Sequence, residues 1–189
     1  MKAAYTQFFR AALYRKISFL SREDTYQLIV HPVKDVLEYR PEAVERIYDI
    51  THGHPYFTQL LCHELFARCQ KSGQRQITEQ DVEAVQEDAV ERGTVNLKFI
   101  WDEAAPAEKW VMAALAGLGD VDQKTLAAFL RKQKVHITDE DLTSALLRLR
   151  EKDVLTEGNR FVVYLMRLWL KHNRPMEFVR EELLEVNPI

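Results

Sequence analysis

Apolar residues recur at helical spacing along most of this chain. Residues 6–14 carry Phe8, Phe9 and Leu13 and read as a short apolar segment. Lys16, Ile17, Ser18, Phe19 and Leu20 alternate polar with apolar, which suits a short strand. Ser21, with Asp24 three positions on, marks a helix start. Leu28, Ile29 and Val30 form its apolar face, and His31-Pro32 ends it, because proline disfavours helix in the residue before it. Pro41 opens a second helix with Val44, Ile47 and Tyr48 on one face. That helix breaks at Thr51-His52-Gly53-His54, where Gly53 is a natural left-handed end. Pro55 begins the next helix, in which Leu61, Cys62, Leu65, Phe66 and Cys69 make a broad stripe. Lys71-Ser72-Gly73 closes it. Thr78 and Asp81 cap another helix, with Val82, Val85 and Ala89 inward. The pattern lapses around residues 93–99, which read as a linker.

The remainder predicts three helices and a hairpin. Residues 107–115 are helical, and Gly117 and Gly119 end them. Residues 122–130 form a second helix with Leu126, Phe129 and Leu130 inward. Thr138 caps a third, in which Leu142, Ala145, Leu146 and Leu149 keep helical spacing. Residues 154–156 and 160–163 flank Glu157-Gly158-Asn159, a β-hairpin signal. Three helices followed by a hairpin is the winged-helix arrangement, a helix-turn-helix variant. A helix over 166–171 and a helical tail over 176–189 complete the chain. The expected fold is therefore mostly α, a helical bundle followed by a winged-helix domain.

Composition narrows the function classes. The chain has 189 residues, 47% of them hydrophobic, enough for one good core or two small ones. Its net charge of -3 offers no general attraction to nucleic acid or to an anionic membrane. Two cysteines, Cys62 and Cys69, make no disulfide framework, so a reducing, cytoplasmic setting is the simpler reading. The first residues lack a hydrophobic signal core, and no apolar run approaches the roughly 20 residues that span a bilayer. None of the six glycines sits in a G-x-x-x-x-G-K-[ST] or G-x-G-x-x-G pattern. A phosphate cradle needs backbone amides in such a turn. No nucleophile elbow or other catalytic constellation stands out, so the chain is not expected to run a reaction by itself.

The stretch 47–62, running through Thr51-His52-Gly53-His54-Pro55-Tyr56-Phe57, resembles the lid of P-loop ATPases of the signal-transduction (STAND) class, relatives of AAA+ ATPases. Their helical lid carries a Gly-x-Pro motif, matched here by Gly53-His54-Pro55. Residues 17–21 resemble the last core strand and the turn into the lid. Residues 160–170, from Arg160-Phe161-Val162-Val163 to Trp169-Leu170, resemble the wing and final helix of the winged-helix domain that follows it. The resemblance divides the chain into a core remnant (1–30), a helical lid (31–98), a winged helix (99–175) and a helical tail (176–189). It implies a regulatory module that couples the nucleotide state of an upstream P-loop core to protein partners. Walker A and Walker B residues do not occur in this chain, so ATP or ADP with magnesium would belong to the full-length parent, and no cofactor to this chain alone.

Each candidate residue also has a plainer reading. Gly53 and Pro55 are explained by helix capping alone; the resemblance adds a contact of Gly53, His54 and Pro55 with nucleotide. His52, His54, His63 and Cys62 lack the paired spacing of structural zinc, so no metal is expected. Cys62 falls on an apolar helix face, where thiols are usually inert. A winged helix also raises duplex DNA as the alternative partner. Its third helix, the recognition helix of such a domain, starts with Asp139, Glu140 and Asp141, which phosphate would repel. Arg148, Arg150 and Arg160 remain as candidate backbone contacts. A protein contact is the stronger expectation. Trp101, Trp110 and Trp169 read as core or interdomain packing.

Overall fold

The structure, a computed structural model, describes residues 19–186. The short apolar segment at 6–14 lies outside them, as do Lys16, Ile17 and Ser18 of the expected strand. Phe19 and Leu20 belong to no strand.

Among the described residues the chain forms ten α-helices and is mostly helical, as its periodicity predicts. Helix α1 (Arg22–Val30) is capped by Ser21, whose Oγ accepts from the Asp24 amide at 3.1 Å. The proline at 32 ends it, and the chain continues as a 3-10 turn (His31–Val33). Two short strands that the sequence pattern does not reveal follow. Strand β1 (Glu38–Tyr39) pairs in parallel with β2 (Gln76–Ile77) in the register Glu38 to Gln76 and Tyr39 to Ile77. Between them lie α2 (Pro41–Thr51) and α3 (Pro55–Ser72), each opened by its proline.

Thr78 caps α4 (Glu79–Ala84) through a reciprocal pair of bonds with Asp81. The helix breaks at Val85 and resumes as α5 (Gln86–Asp102). The linker expected at 93–99 is therefore corrected: these residues lie inside α5. Gly93 caused the misreading. It is buried, and a Cβ there would meet Leu60 Cδ2 at 3.1 Å and Phe57 Cε1 at 3.4 Å. Glycine lets α5 lie close on α3, and Gly93, Leu97 and Trp101 form its buried stripe at intervals of four.

Helices α6 (Pro106–Leu118), α7 (Gln123–Lys132) and α8 (Asp139–Glu151) follow where expected. Gly117 lies inside α6, and Gly119 ends it with a φ of 87°. The expected hairpin is reduced to one antiparallel bridge, Leu155 to Phe161. Thr156 N–H donates to the Arg160 carbonyl at 2.8 Å and Val162 N–H to the Val154 carbonyl at 3.0 Å. No longer ladder forms, because α8 ends just before Val154 and α9 (Tyr164–Asn173) starts just after Val163. The left-handed residue of the turn is Asn159, with a φ of 60°, rather than Gly158. Its buried amide donates to the Val121 carbonyl at 3.0 Å and accepts from Arg150 at 2.9 Å.

The last helix, α10 (Met176–Val186), docks on α6 through the fully buried Val179. Trp101 Nε1 donates to Glu182 Oε2 at 3.2 Å, and Lys109 pairs with Glu182 Oε1 at 2.6 Å. Helix α9 touches α5 and α6 and also α2, so it joins the two halves of the chain. The buried apolar side chains form one connected core, from Ile29 to Val179. Trp101 and Trp169 are buried in it, and Trp110 packs against it half-buried. No helix among the described residues is long and apolar enough to cross a membrane.

Candidate functional site at the turn between α2 and α3

The turn that carries Gly53-His54-Pro55 is built from two consecutive left-handed residues. His52 has a φ of 52° and Gly53 a φ of 74°. His52 N–H closes α2 on the Tyr48 carbonyl at 2.6 Å. Gly53 then approaches Leu20, just ahead of α1: its carbonyl accepts from Leu20 N–H at 2.8 Å. A Cβ on Gly53 would stand 2.3 Å from the Leu20 carbonyl oxygen and 3.1 Å from Thr25 Oγ1. Glycine is needed here twice, for its backbone conformation and for the space. Below the turn, the buried Thr51 and Thr58 hydroxyls meet at 3.0 Å, and Thr51 also donates to the Ile47 carbonyl at 2.8 Å. These bonds fix the angle at which α3 leaves α2.

His54 is the residue that this turn presents. It sits before Pro55 in extended conformation, and its side chain does not cap α3. The imidazole stands edge-on to Phe19, with centroids 5.4 Å apart, and to Phe57 at 4.8 Å. Its Nδ1 is buried and meets no hydrogen-bond partner. Burial lowers its pKa below the ordinary histidine value, so the ring is neutral near pH 7. The ring borders a cleft of about 340 Å³. Phe19 and Phe57 line one side of it, and Ile100, Val154, Val163 and Met166 the other, so the cleft lies between the two halves. Glu103, Lys152 and Asp153 also line it.

Arg148, Arg150 and Arg160 each pair within the chain. Arg148 lies 3.6 Å from the buried Glu108, which also takes Lys152 at 2.6 Å and the Ala105 amide at 3.1 Å. Arg150 donates to the Asn159 side chain at 2.9 Å and to the Glu157 carbonyl at 3.2 Å. Arg160 donates from Nε to Asp120 at 2.9 Å. Asp139, Glu140 and Asp141 occupy the first turn of α8, as the sequence places them.

Sequence reasoning missed several buried polar side chains, Glu108 and Asn159 among them. The signal for Glu108 was its position three residues after Ala105, at the proline-opened start of α6. Burial pushes the Cys62 thiol up to about 11, beside the Tyr39 hydroxyl, and also raises the Cys69 thiol. Neither is poised as a nucleophile. Among the described residues no three His, Cys, Asp or Glu side chains gather in a metal-binding group.

The fold and this turn define a mostly helical protein with an apolar, histidine-bordered cleft between two helical halves. Comparisons with protein-family models, with curated proteins and with solved structures find no match.

Proposed function

We propose that this chain is the regulatory lid and winged-helix module of a STAND-type signalling ATPase. It couples the nucleotide state of a P-loop core to a protein partner. The observation that carries this reading is His54. It is a half-buried imidazole whose Nδ1 lacks a partner, held by the Gly-x-Pro turn at the mouth of a cleft between two helical halves. A group left unsatisfied in this way loses hydrogen-bond energy unless something else completes it. A nucleotide held by an adjoining core supplies such an acceptor or donor. The N-terminus of α3, opened by Pro55, adds a positive dipole end at the same place. In this reading α6, α7 and α8 with the Leu155–Phe161 bridge form the winged helix. Helix α9 contacts α2, which gives a mechanical route from the turn to that domain.

The reading frame upstream of Met1 provides the test. A Walker A loop there is expected. In the longer chain, His54→Ala should weaken ADP binding by about tenfold, the value of one hydrogen bond to a charged group. An upstream frame without a phosphate-binding loop, or an unchanged ADP affinity in His54→Ala, overturns the proposal. The DNA reading makes a different prediction. Sequence-selective nanomolar duplex binding, abolished by Arg148→Ala or Arg160→Ala, would replace this proposal; the regulatory reading expects only salt-sensitive binding at roughly 10⁻⁴ to 10⁻⁶ M or weaker.

A further inference from the structure

A second cleft, of about 540 Å³, lies between the halves and shares no lining residue with the His54 cleft. Its walls carry four arginines: Arg22 and Arg46 from α1 and α2, Arg160 beside the bridge, and Arg167 from α9. Two carboxylates, Asp49 and Asp120, line it with them. Glu45 and Glu83 pair with Arg22 and Arg46 but do not line the cleft. The wall itself is therefore richer in cations than in anions.

Three of these arginines are held in a common way. Arg46 spends its Nε on Glu83, Arg160 its Nε on Asp120 at 2.9 Å, and Arg167 its Nε on the Ala116 carbonyl at 3.2 Å. Their terminal amino groups make no further hydrogen bond among the described residues. Arg167 also packs 3.2 Å from the Cβ position of Gly119 and lies over the Tyr164 ring at 5.9 Å. It meets no carboxylate among the described residues. Anchoring at Nε fixes each guanidinium plane, and a pair of terminal amino groups without a partner matches phosphate oxygens. Pre-fixed side chains lose little further entropy on binding. The exposed pairs to Asp120 and Glu83 are weak and compete poorly with a multiply charged anion.

We propose that this cleft binds a small molecule with two adjoining phosphate groups, gripped by Arg46 from one half and by Arg160 and Arg167 from the other. Its volume falls in the range of roughly 300–1,000 Å³ typical of small-ligand sites, and a single phosphate would leave most of it empty. Because the arginines come from both halves, the ligand fastens α2 to α9. This inference does not rest on the lid reading.

The test is calorimetric titration of the full chain with inorganic pyrophosphate and, separately, with a nucleoside diphosphate. Pyrophosphate is expected to bind and to raise the melting temperature. Arg160→Gln and Arg167→Gln should each weaken it about tenfold, and Arg131→Gln, an exposed arginine outside the cleft, should not. Arg160 is exposed and held by one side-chain bond, so its variant should fold even if Arg167→Gln does not. Equal affinity for the two probes assigns the site to the diphosphate alone, and tighter nucleoside diphosphate binding adds a fit for the organic part. The proposal is overturned by three results: no pyrophosphate binding at about millimolar concentration, equal displacement by sulfate, or affinity unchanged in Arg160→Gln.

Discussion

At Gly53 two separate demands meet, and a comparison with Gly73 separates them. Both glycines are left-handed, with φ of 74° and 72°. A Cβ on Gly73 meets nothing within 4 Å, whereas one on Gly53 would stand 2.3 Å from the Leu20 carbonyl oxygen. Gly73→Ala should therefore cost only the backbone term, about 1–2 kcal/mol. Gly53→Ala should cost about 3 kcal/mol or more, because the contact is with backbone and cannot yield by a rotamer change. Urea midpoints of the two variants check this; equal losses would mean that the Leu20 contact gives way freely. His54 supports a second prediction at the same scale. Burial disfavours the imidazolium, so the native ring holds its proton more weakly than the unfolded chain, whose histidine titrates near 6.5. Above that value the group contributes no penalty. As pH falls through it the unfolded state binds the extra proton, and stability falls with it. Glu103, Lys152 and Asp153, which line the same cleft, are retained in the comparison variant. His54→Gln should lose less stability than the parent between about pH 7.5 and about pH 5. Parallel losses would show that His54 titrates as it does in water.

At the scale of the element, helix starts were legible and helix continuity was not. Ser21, Thr78, Asp122 and Thr138 all cap through their side chains, and Pro41 and Pro55 open the helices they were expected to open. Such signals are local, so the sequence holds them in full. Gly93 was misread because glycine in isolation signals a break equally well as a close helix contact, and only the Leu60 and Phe57 side chains across the interface decide. The Gly53-His54-Pro55 turn was legible as a helix end for the same local reason. Its approach to Leu20, the cleft beside His54 and the arginine-lined cleft depend on packing between distant segments and were not. The α6 start shows how much a long-range bond can add to a local one. Glu108 is 1% exposed in its side chain and binds the Ala105 amide, Lys152 and Arg148 at once. Glu108→Ala leaves the amide and a small cavity behind and should cost about 2–3 kcal/mol. Asp139→Ala removes an exposed pair with Arg131 and should cost under about 1 kcal/mol. Thermal melts of the two variants give the comparison, and a smaller loss for Glu108→Ala would demote it to a surface pair.

For the whole molecule the question is whether the two halves unfold together. Their buried side chains form one connected cluster, and α5 runs unbroken from the first half into the second, across the boundary expected between residues 98 and 99. Helix α9 then contacts α2 as well as α5 and α6. A helix shared by two halves cannot lose one half's packing without exposing its stripe of Gly93, Leu97 and Trp101 to water. The chain carries independent reporters for each half. Cys62 and Cys69 lie in α3, while Trp101, Trp110 and Trp169 lie on α5, α6 and α9. Burial holds the Cys62 thiol at about 11 and raises that of Cys69, so thiolate is scarce in the folded state and alkylation reports opening of the first half. Tryptophan fluorescence reports the second half, where Trp101 and Trp169 are at most 1% exposed. In a urea series the cysteine-alkylation and tryptophan transitions should coincide in midpoint and slope, as two-state unfolding requires. Early alkylation with intact tryptophan emission would instead make the first half a separately folding unit. The same series with pyrophosphate present discriminates further. A ligand gripped by Arg46 and Arg160 stabilises only the joined state, so it should move both transitions together and by the same amount.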